Sequence, residues 1–279
     1  MRKYLIVLFL FAAHTQALLA QLAGTPPNGP VSMSLGGVSS PIGNSWSIFN
    51  NPAGLTYLNG ADAIFGYQTI FDYSPFNTVT AAVNYPTEFA TASFGVYRFG
   101  DELFNSAMAS LGLAKKIGIM SLGIKADYLQ YNIDGFGKKA VFVAEMGGIA
   151  TLTPHLTFGM HLYNFTQAVI SDATGEKVPV IIRLSMKYKA AENLALYLEG
   201  EKDIDLDADV KFGLAYAIIE ALELRTGFST TTNRMTFGAG FNVKQFTIDY
   251  GLRSNPSLGA THNFGLTYRF TRWINMDTF

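Results

Sequence analysis

Residues 192–202 have the sequence ENLALYLEGEK, and this stretch decides the fold class. Leucine occupies positions 194, 196 and 198, whereas alanine, tyrosine and two glutamates occupy positions 195, 197, 199 and 201. Because successive side chains of a strand point to opposite faces, one face of this segment is wholly apolar and the other is not. Such alternation over about ten residues is typical of a strand that crosses an outer membrane.

The same alternation recurs from residue 61 onward. A soluble β-sandwich alternates as well, but it rarely contains so many strands of about this length. The sequence therefore predicts an all-β fold, an antiparallel transmembrane β-barrel of about 14 strands over residues 61–270. The predicted strands are 61–73, 77–86, 90–99, 105–115, 118–131, 139–152, 154–164, 179–189, 192–202, 206–217, 220–229, 233–242, 244–253 and 259–270.

The connections between these segments alternate in length. Those after even-numbered strands are short, as at residues 87–89, 189–191 and 218–219, whereas 100–104, 132–138, 165–178 and 254–258 are longer and richer in turn residues. Outer-membrane barrels have tight periplasmic turns and longer outward loops. The pattern predicts that the longer set faces outward and that the strand number is even.

The N-terminus has the order of a secretory signal. Arg2 and Lys3 precede an apolar run over residues 5–13, and the small residues Ala17 and Ala20 follow it. The apolar run is shorter than the roughly 20 residues that a spanning helix needs. We therefore expect residues 1–20 to be a cleaved signal peptide and the chain to reach the outer membrane of a Gram-negative-type cell.

Composition excludes several classes of protein. The chain has no cysteine, so disulfides and thiolate chemistry are absent. Its formal net charge of −1 offers no basic stripe for nucleic acid. No catalytic motif and no metal-ligand spacing among the histidines occurs, so the sequence predicts no enzyme activity and no cofactor. The aspartates at 203, 205, 207 and 209 could form a calcium site, but an outward loop is the favoured interpretation.

Alternation places charged residues of both signs on the face away from lipid. A mixture of signs favours a network of ion pairs over a pore that selects one ion sign. The predicted lumenal set is Lys125, Asp127, Glu145, His161, Arg183, Lys187, Glu199, Glu201, Asp209, Lys211, Glu223, Arg225, Asp249, Arg253 and Arg269.

Residues 21–60 form a candidate plug. Fourteen strands enclose more space than side chains alone can fill, since about eight strands already suffice for that. This segment is rich in Gly, Pro, Ser and Asn and suits a folded insert rather than a strand. At its end lies the motif Asn51, Pro52, Ala53 and Gly54, for which a simple turn before the first strand is the alternative interpretation.

The run MSLGGV at residues 33–38, followed by WSIFNNPAGL at 46–55, resembles the N-terminal signature of the PorV/PorQ family. That family is similar to the FadL long-chain fatty-acid transporters, whose fold is a fourteen-stranded barrel with an N-terminal hatch. The resemblance covers about residues 31–58. It implies membrane lipid and other envelope or secretion-system proteins as partners.

Three functions follow from these expectations. The leading one is a non-enzymatic accessory subunit in type IX secretion and surface attachment, as the resemblance implies. The alternative is a FadL-like conduit for small hydrophobic molecules, with Tyr97, Phe99, Tyr163 and Phe165 as lining candidates if they point inward. A purely structural envelope protein is the third. Residues 271–279 are expected to form a short periplasmic tail; the alternative is that the last strand begins later than residue 259 and includes part of them.

Overall fold

The computed structural model of the protein describes residues 29–135, 137–171, 175–255 and 257–270. Fourteen strands close into one antiparallel barrel, which confirms the predicted fold class and strand number. The barrel strands are β1 (Asp62–Thr69), β2 (Asn77–Pro86), β3 (Thr91–Gly100), β4 (Phe104–Ile117), β5 (Met120–Ile133), β6 (Gly137–Thr153), β7 (Leu156–Tyr163), β10 (Ile181–Ala191), β11 (Leu194–Asp203), β12 (Asp209–Ile219), β13 (Leu222–Ser229), β14 (Arg234–Val243), β15 (Phe246–Asn255) and β16 (Gly259–Arg269).

Each barrel strand pairs with its neighbours in the chain, and β7 pairs directly with β10. The barrel closes where β1 pairs with β16, with Gly66 opposite Gly265. The connection from β7 to β10, which the sequence predicts as a loop, contains a small hairpin of β8 (Val169–Ser171) and β9 (Glu176–Lys177). Its strands are too short for the alternation signal to reveal them.

The two ends of the barrel differ. At one end, here the short-turn end, five of the six connections contain two residues, for example 118–119 and 192–193. The other end, the long-loop end, includes the connections 70–76, 164–180 and 204–208. The predicted loop 132–138 is largely strand, because β5 and β6 stay paired up to Ile133 and Gly137. Outer-membrane barrels have their tight turns at the periplasmic end, so the orientation predicted from the sequence would place the short-turn end there.

The outer face of the barrel is apolar. Leu111 on β4, Ile124 on β5 and Phe142 on β6 are 65%, 60% and 73% exposed, and they alternate with buried residues along their strands. Large apolar surface in contact with solvent is unfavourable in water, whereas an outward apolar band is the normal surface of a membrane barrel.

Residues 29–58, here the inner segment, lie inside the barrel. They form helix α1 (Gly29–Ser34) and the 3-10 helices η1 (Ser45–Phe49) and η2 (Pro52–Tyr57). A third 3-10 helix, η3 (Ser74–Phe76), lies in the connection between β1 and β2. The side chain of Asn44 accepts a hydrogen bond from the backbone N–H of Trp46 and so caps η1.

Several predictions fall on parts of the chain outside the described residues. These are the signal peptide at 1–20, the first part of the candidate plug at 21–28 and the tail at 271–279. The described helices include none that is long and apolar enough to cross a membrane.

Candidate functional site

A belt of glycines surrounds the inner segment. On eleven of the fourteen barrel strands, an inward glycine faces a residue of the inner segment so closely that a Cβ atom would come within about 3 Å of it. The glycines of this belt are Gly66, Gly95, Gly112, Gly123, Gly147, Gly159, Gly213, Gly227, Gly238, Gly251 and Gly265. Glycine inside a strand often marks a close approach of another backbone, and here the inner segment supplies it.

Two contacts show how tight the fit is. A Cβ on Gly123 would lie 2.5 Å from the carbonyl carbon of Pro52, and one on Gly147 would lie 2.8 Å from Cγ of Asn51. Neither neighbour can give way easily, because the contact of Gly123 is with backbone atoms and the Asn51 side chain is held by its own hydrogen bonds. The wall and the inner segment therefore fit together only where the wall has no side chain.

Asn51 joins the inner segment to the barrel wall. Its Nδ2 lies within hydrogen-bond distance of three carbonyl oxygens, those of Ser40 (2.7 Å), Met160 (3.1 Å) and Gly148 (3.3 Å). Its Oδ1 accepts from the backbone N–H of Ala53 at 3.1 Å, which caps η2. Pro52 follows as the first residue of that helix, where its missing N–H has no cost.

Glu199 of β11 forms a second anchor. Its carboxylate accepts hydrogen bonds from the backbone N–H groups of Ser39 at 3.1 Å and Ser40 at 2.7 Å, and from the Ser40 hydroxyl at 2.6 Å. Near the short-turn end, Ser45 donates to the Asp62 carboxylate at 2.7 Å. Hydrogen bonds to a charged acceptor are stronger than neutral ones, so these contacts fix the segment well.

A chain of charged side chains runs from strand to strand along the inner face of the barrel wall, next to the inner segment. Its links run from Asp127 to Lys125 (3.4 Å), Lys125 to Glu145 (2.8 Å), Glu145 to His161 (2.9 Å), His161 to Arg183 (2.9 Å), Arg183 to Glu201 (2.5 Å), Glu201 to Lys211 (2.7 Å) and Lys211 to Glu199 (3.7 Å). Apart from Glu201, whose side chain is 21% exposed, all of its members are buried. These residues come from six neighbouring barrel strands, from β5 to β12.

The geometry assigns a tautomer to His161. Arg183 can only donate, so Nδ1 of His161 must accept from it, and the ring proton must lie on Nε2, which donates to Glu145. A neutral histidine thus joins a cation and a carboxylate. Buried charges persist only where such partners satisfy them.

The other predicted lumenal charges do not join this chain. Arg225 forms a separate cluster, with Glu223 at 2.5 Å and Asp249 at 2.7 Å. Asp209 accepts from Ser229 and Thr230 near the long-loop end, Lys187 lies 5.7 Å from the ring centroid of Tyr197, and Arg269 donates to Thr247. Among the described residues, Arg253 has no carboxylate within ion-pair distance, and Nε of Arg253 is buried without an acceptor.

An apolar column lies between the charged chain and the long-loop end. On β5 the order along the strand is Gly123, Lys125, Asp127 and Leu129, which separates the glycine belt, the charges and the column into successive layers. The column packs against Ile48 and Phe49 of the inner segment on the side of β3 and β4. We define it by its buried members Tyr97, Met108, Leu129, Tyr131, Val143, Tyr163, Val178 and Ile181.

The sequence anticipated part of this site. Of the predicted lining residues, Tyr97 and Tyr163 are buried in the column and Phe99 packs against it. Phe165 is a correction: it is 42% exposed, because it follows the end of β7 and lies outside the strand alternation. The glycine belt was missed, although one signal was available, namely a glycine on the inward face of most strands. No group of three potential metal ligands occurs in the described ranges, including around Asp203.

Comparison with known proteins gives a fold and no family. No protein-family model matches the chain, and no curated protein matches it. Among solved structures, the Pseudomonas putida toluene transporter TodX has a TM-score of 0.71 at 12% identity, and the Ralstonia pickettii toluene transporter TbuX 0.66 at 11%. A Pseudomonas aeruginosa FadL homologue has a TM-score of 0.59 at 11% identity. Each match covers 89% of this chain and 100% of the other. The chain therefore has the fold of FadL-type outer-membrane barrels.

Proposed function

We propose that this protein is an outer-membrane conduit for small hydrophobic molecules. The observation that carries the proposal is the apolar column. It places buried apolar side chains from β3 to β10 inside the barrel, on the long-loop side of the charged chain. An open porin for polar solutes has a polar, water-filled interior instead. The solved structures that share the fold include two described as toluene transporters, which supports the same substrate class.

The column has the chemistry that such a cargo needs. Burying apolar surface contributes roughly 25 cal/mol per Å², so a small hydrocarbon gains several kcal/mol by leaving water for an apolar wall. Aromatic rings at the long-loop end continue this surface: Phe99 lies 6.0 Å from Phe76 and 6.2 Å from Phe104, measured between ring centroids. Cargo would enter from that end and move along the column towards Phe49.

In this proposal the N-terminal part of the chain, residues 21–60, serves as the plug, and the charged chain serves as its rigid support. Ion pairs and the Glu199 anchor hold the wall and the inner segment in one arrangement. The solute must therefore pass beside the inner segment or displace it. The barrel would otherwise leave an aqueous channel, since about eight strands already enclose the space that side chains can fill.

The secretion role implied by the PorV/PorQ resemblance stays a prediction. The solved structures that share the fold support the conduit instead, since two are described as transporters and one as a FadL homologue. Co-purification with other envelope proteins after mild detergent extraction is the observation that would favour the secretion role.

Uptake of labelled toluene into cells without their own hydrocarbon channel tests the proposal. Expression of the chain should raise the initial uptake rate at low toluene concentration. Leu129→Asn, which makes the column polar, should lower that rate about tenfold, because one lost apolar contact in a hydrophobic pocket costs about 1–3 kcal/mol. Thr261→Asn on the opposite lumenal wall is the matched control and should leave the rate unchanged.

Rates are compared at equal amounts of folded barrel, measured by its heat-dependent shift in gel mobility. The proposal fails if the chain does not raise uptake above the vector control. It also fails if Leu129→Asn and Thr261→Asn have the same rate as the parent protein.

A further inference from the structure

A large concavity indents the outer surface of the barrel. It lies on the outside of the same part of the wall whose inside contacts the inner segment. Its volume is about 1040 Å³, and it extends across β4, β5, β6, β7, β10 and β11. This volume lies just above the range for small-molecule pockets, roughly 300–1,000 Å³. With neighbouring strands about 4.8 Å apart, six strands give it a span of about 24 Å.

The concavity arises where outward positions carry glycine, with larger apolar side chains around them. Gly148 on β6 and Gly200 on β11 belong to its lining. A Cβ on either glycine would have no neighbour closer than 3.8 Å, so both positions are open on this side. Met146, Met160 and Leu184 are other lining residues, each at least 39% exposed, and they give the concavity flexible apolar walls.

One charged side chain lines the concavity at the short-turn end. Lys115 of β4 is exposed, and its Nζ lies 3.6 Å from the ring centroid of Phe89 in the turn between β2 and β3. Phe89 is 74% exposed and also lines the concavity. Among the described residues no carboxylate lies within ion-pair distance of Lys115, so an anionic ligand group could approach its ammonium on the side away from the Phe89 ring.

We propose that this concavity binds one glycerophospholipid of the periplasmic leaflet, with an acyl chain along the apolar floor and the phosphate at Lys115. The chemistry of the two ends selects this occupant. A hydrocarbon cargo has nothing to place against the ammonium group, whereas a phospholipid carries an anionic phosphate next to its acyl chains. In the orientation predicted from the sequence the short-turn end is the periplasmic end, which places the cation at the depth of that leaflet's headgroups.

Native mass spectrometry of the full chain, titrated with phosphatidylglycerol in detergent, tests this site. The parent protein should form a saturable adduct with one lipid at concentrations below those that give multiple adducts. Lys115→Gln should weaken that adduct about fivefold, because one lysine near a membrane surface contributes about 1 kcal/mol. Lys116→Gln, the next residue on the same strand but on its inner face, should leave it unchanged.

A second pair of variants tests the cavity itself. Gly148→Leu combined with Gly200→Leu adds side chains to the open outer surface and should abolish the one-lipid adduct. Ala239→Leu adds the same side chain to the outward face of β14, far from the concavity, and should preserve it. Folding of every variant is checked by the heat-dependent gel shift.

The proposal is overturned if lipid adducts have the same affinity in the parent protein and in both site variants, which would mean unselective binding around the barrel. It is also overturned if added dodecane displaces the lipid equally well from the parent and Lys115→Gln. An adduct with the mass of a second chain, lost in Gly148→Leu with Gly200→Leu, would identify a protein interface instead.

Discussion

Two adjacent glycines on β6 allow a direct test of the glycine belt. Gly147 faces inward against Asn51, whereas Gly148 faces outward, where a Cβ would lie 3.8 Å from the nearest side-chain atom. The same substitution, glycine to alanine, should therefore destabilise the protein at position 147 and have almost no effect on stability at position 148. Both residues belong to one strand, so a general effect of alanine on strand formation cancels in the comparison.

The magnitude follows from the contacts. A methyl group on Gly147 would overlap Oδ1 of Asn51 and lie 2.8 Å from its Cγ, so the Asn51 side chain must move by about 1 Å or more. Overpacking of this kind costs about 1–3 kcal/mol. The movement also disturbs the bonds from Asn51 to Ser40 and Met160, each contributing about 1 kcal/mol. We expect Gly147→Ala to lower the free energy of unfolding by about 2–4 kcal/mol.

Urea unfolding of the barrel in lipid vesicles, followed by gel mobility, measures this difference. Gly148→Ala should change the free energy of unfolding by no more than about 0.5 kcal/mol. Hydrogen exchange supplies an independent readout, because the amide of Ala53, which donates to Asn51, should exchange faster only in Gly147→Ala. Equal stabilities of the two variants, or unchanged exchange at Ala53, would refute the close seating of the inner segment.

Two further predictions concern the charged residues. Glu199→Gln replaces a carboxylate that accepts a hydrogen bond from the backbone N–H of Ser40. We expect the free energy of unfolding to fall by about 1.5–3 kcal/mol and hydrogen exchange at the Ser40 amide to become faster. Unchanged exchange at Ser40 would contradict this anchor. Lys125→Met leaves the buried Glu145 without its cation and should cost about 3–5 kcal/mol in urea unfolding. Lys189→Met, which removes an exposed ion pair, is the control and should cost less than about 1 kcal/mol; equal losses would contradict the buried network.

The fold could be predicted from the sequence because the alternation of apolar and polar residues is visible within each strand. In β11 the period of two in the side chains specifies which face meets lipid, and the short turns 192–193 and 220–221 specify antiparallel neighbours. The ends of strands were less accessible. β6 extends two residues further than predicted towards the long-loop end, because pairing with β5 continues to Gly137 and no change in hydrophobicity marks that point.

For the candidate site, the sequence predicted which kinds of side chain face the lumen, but not which of them contact one another. Alternation placed Lys125, Glu145 and Arg183 on the inner face, but ion pairing depends on the register between strands, which alternation alone does not give. Glu199 illustrates the difference. It was predicted as one of many lumenal charges, whereas its role as an acceptor for Ser39 and Ser40 depends on where the inner segment lies, more than 150 residues away in sequence.

The position of Trp46 links the inner segment to closure of the barrel. Its indole lies against both Gly66 of β1 and Gly265 of β16, the glycines that face each other across the closing pair of strands. Both halves of this seat come together only when the first and last barrel strands pair. The inner segment therefore cannot be fully seated before the barrel closes. A side chain at either glycine would occupy the space of the Trp46 indole, so the seam between the first and last strands accepts the inner segment only because both positions lack one.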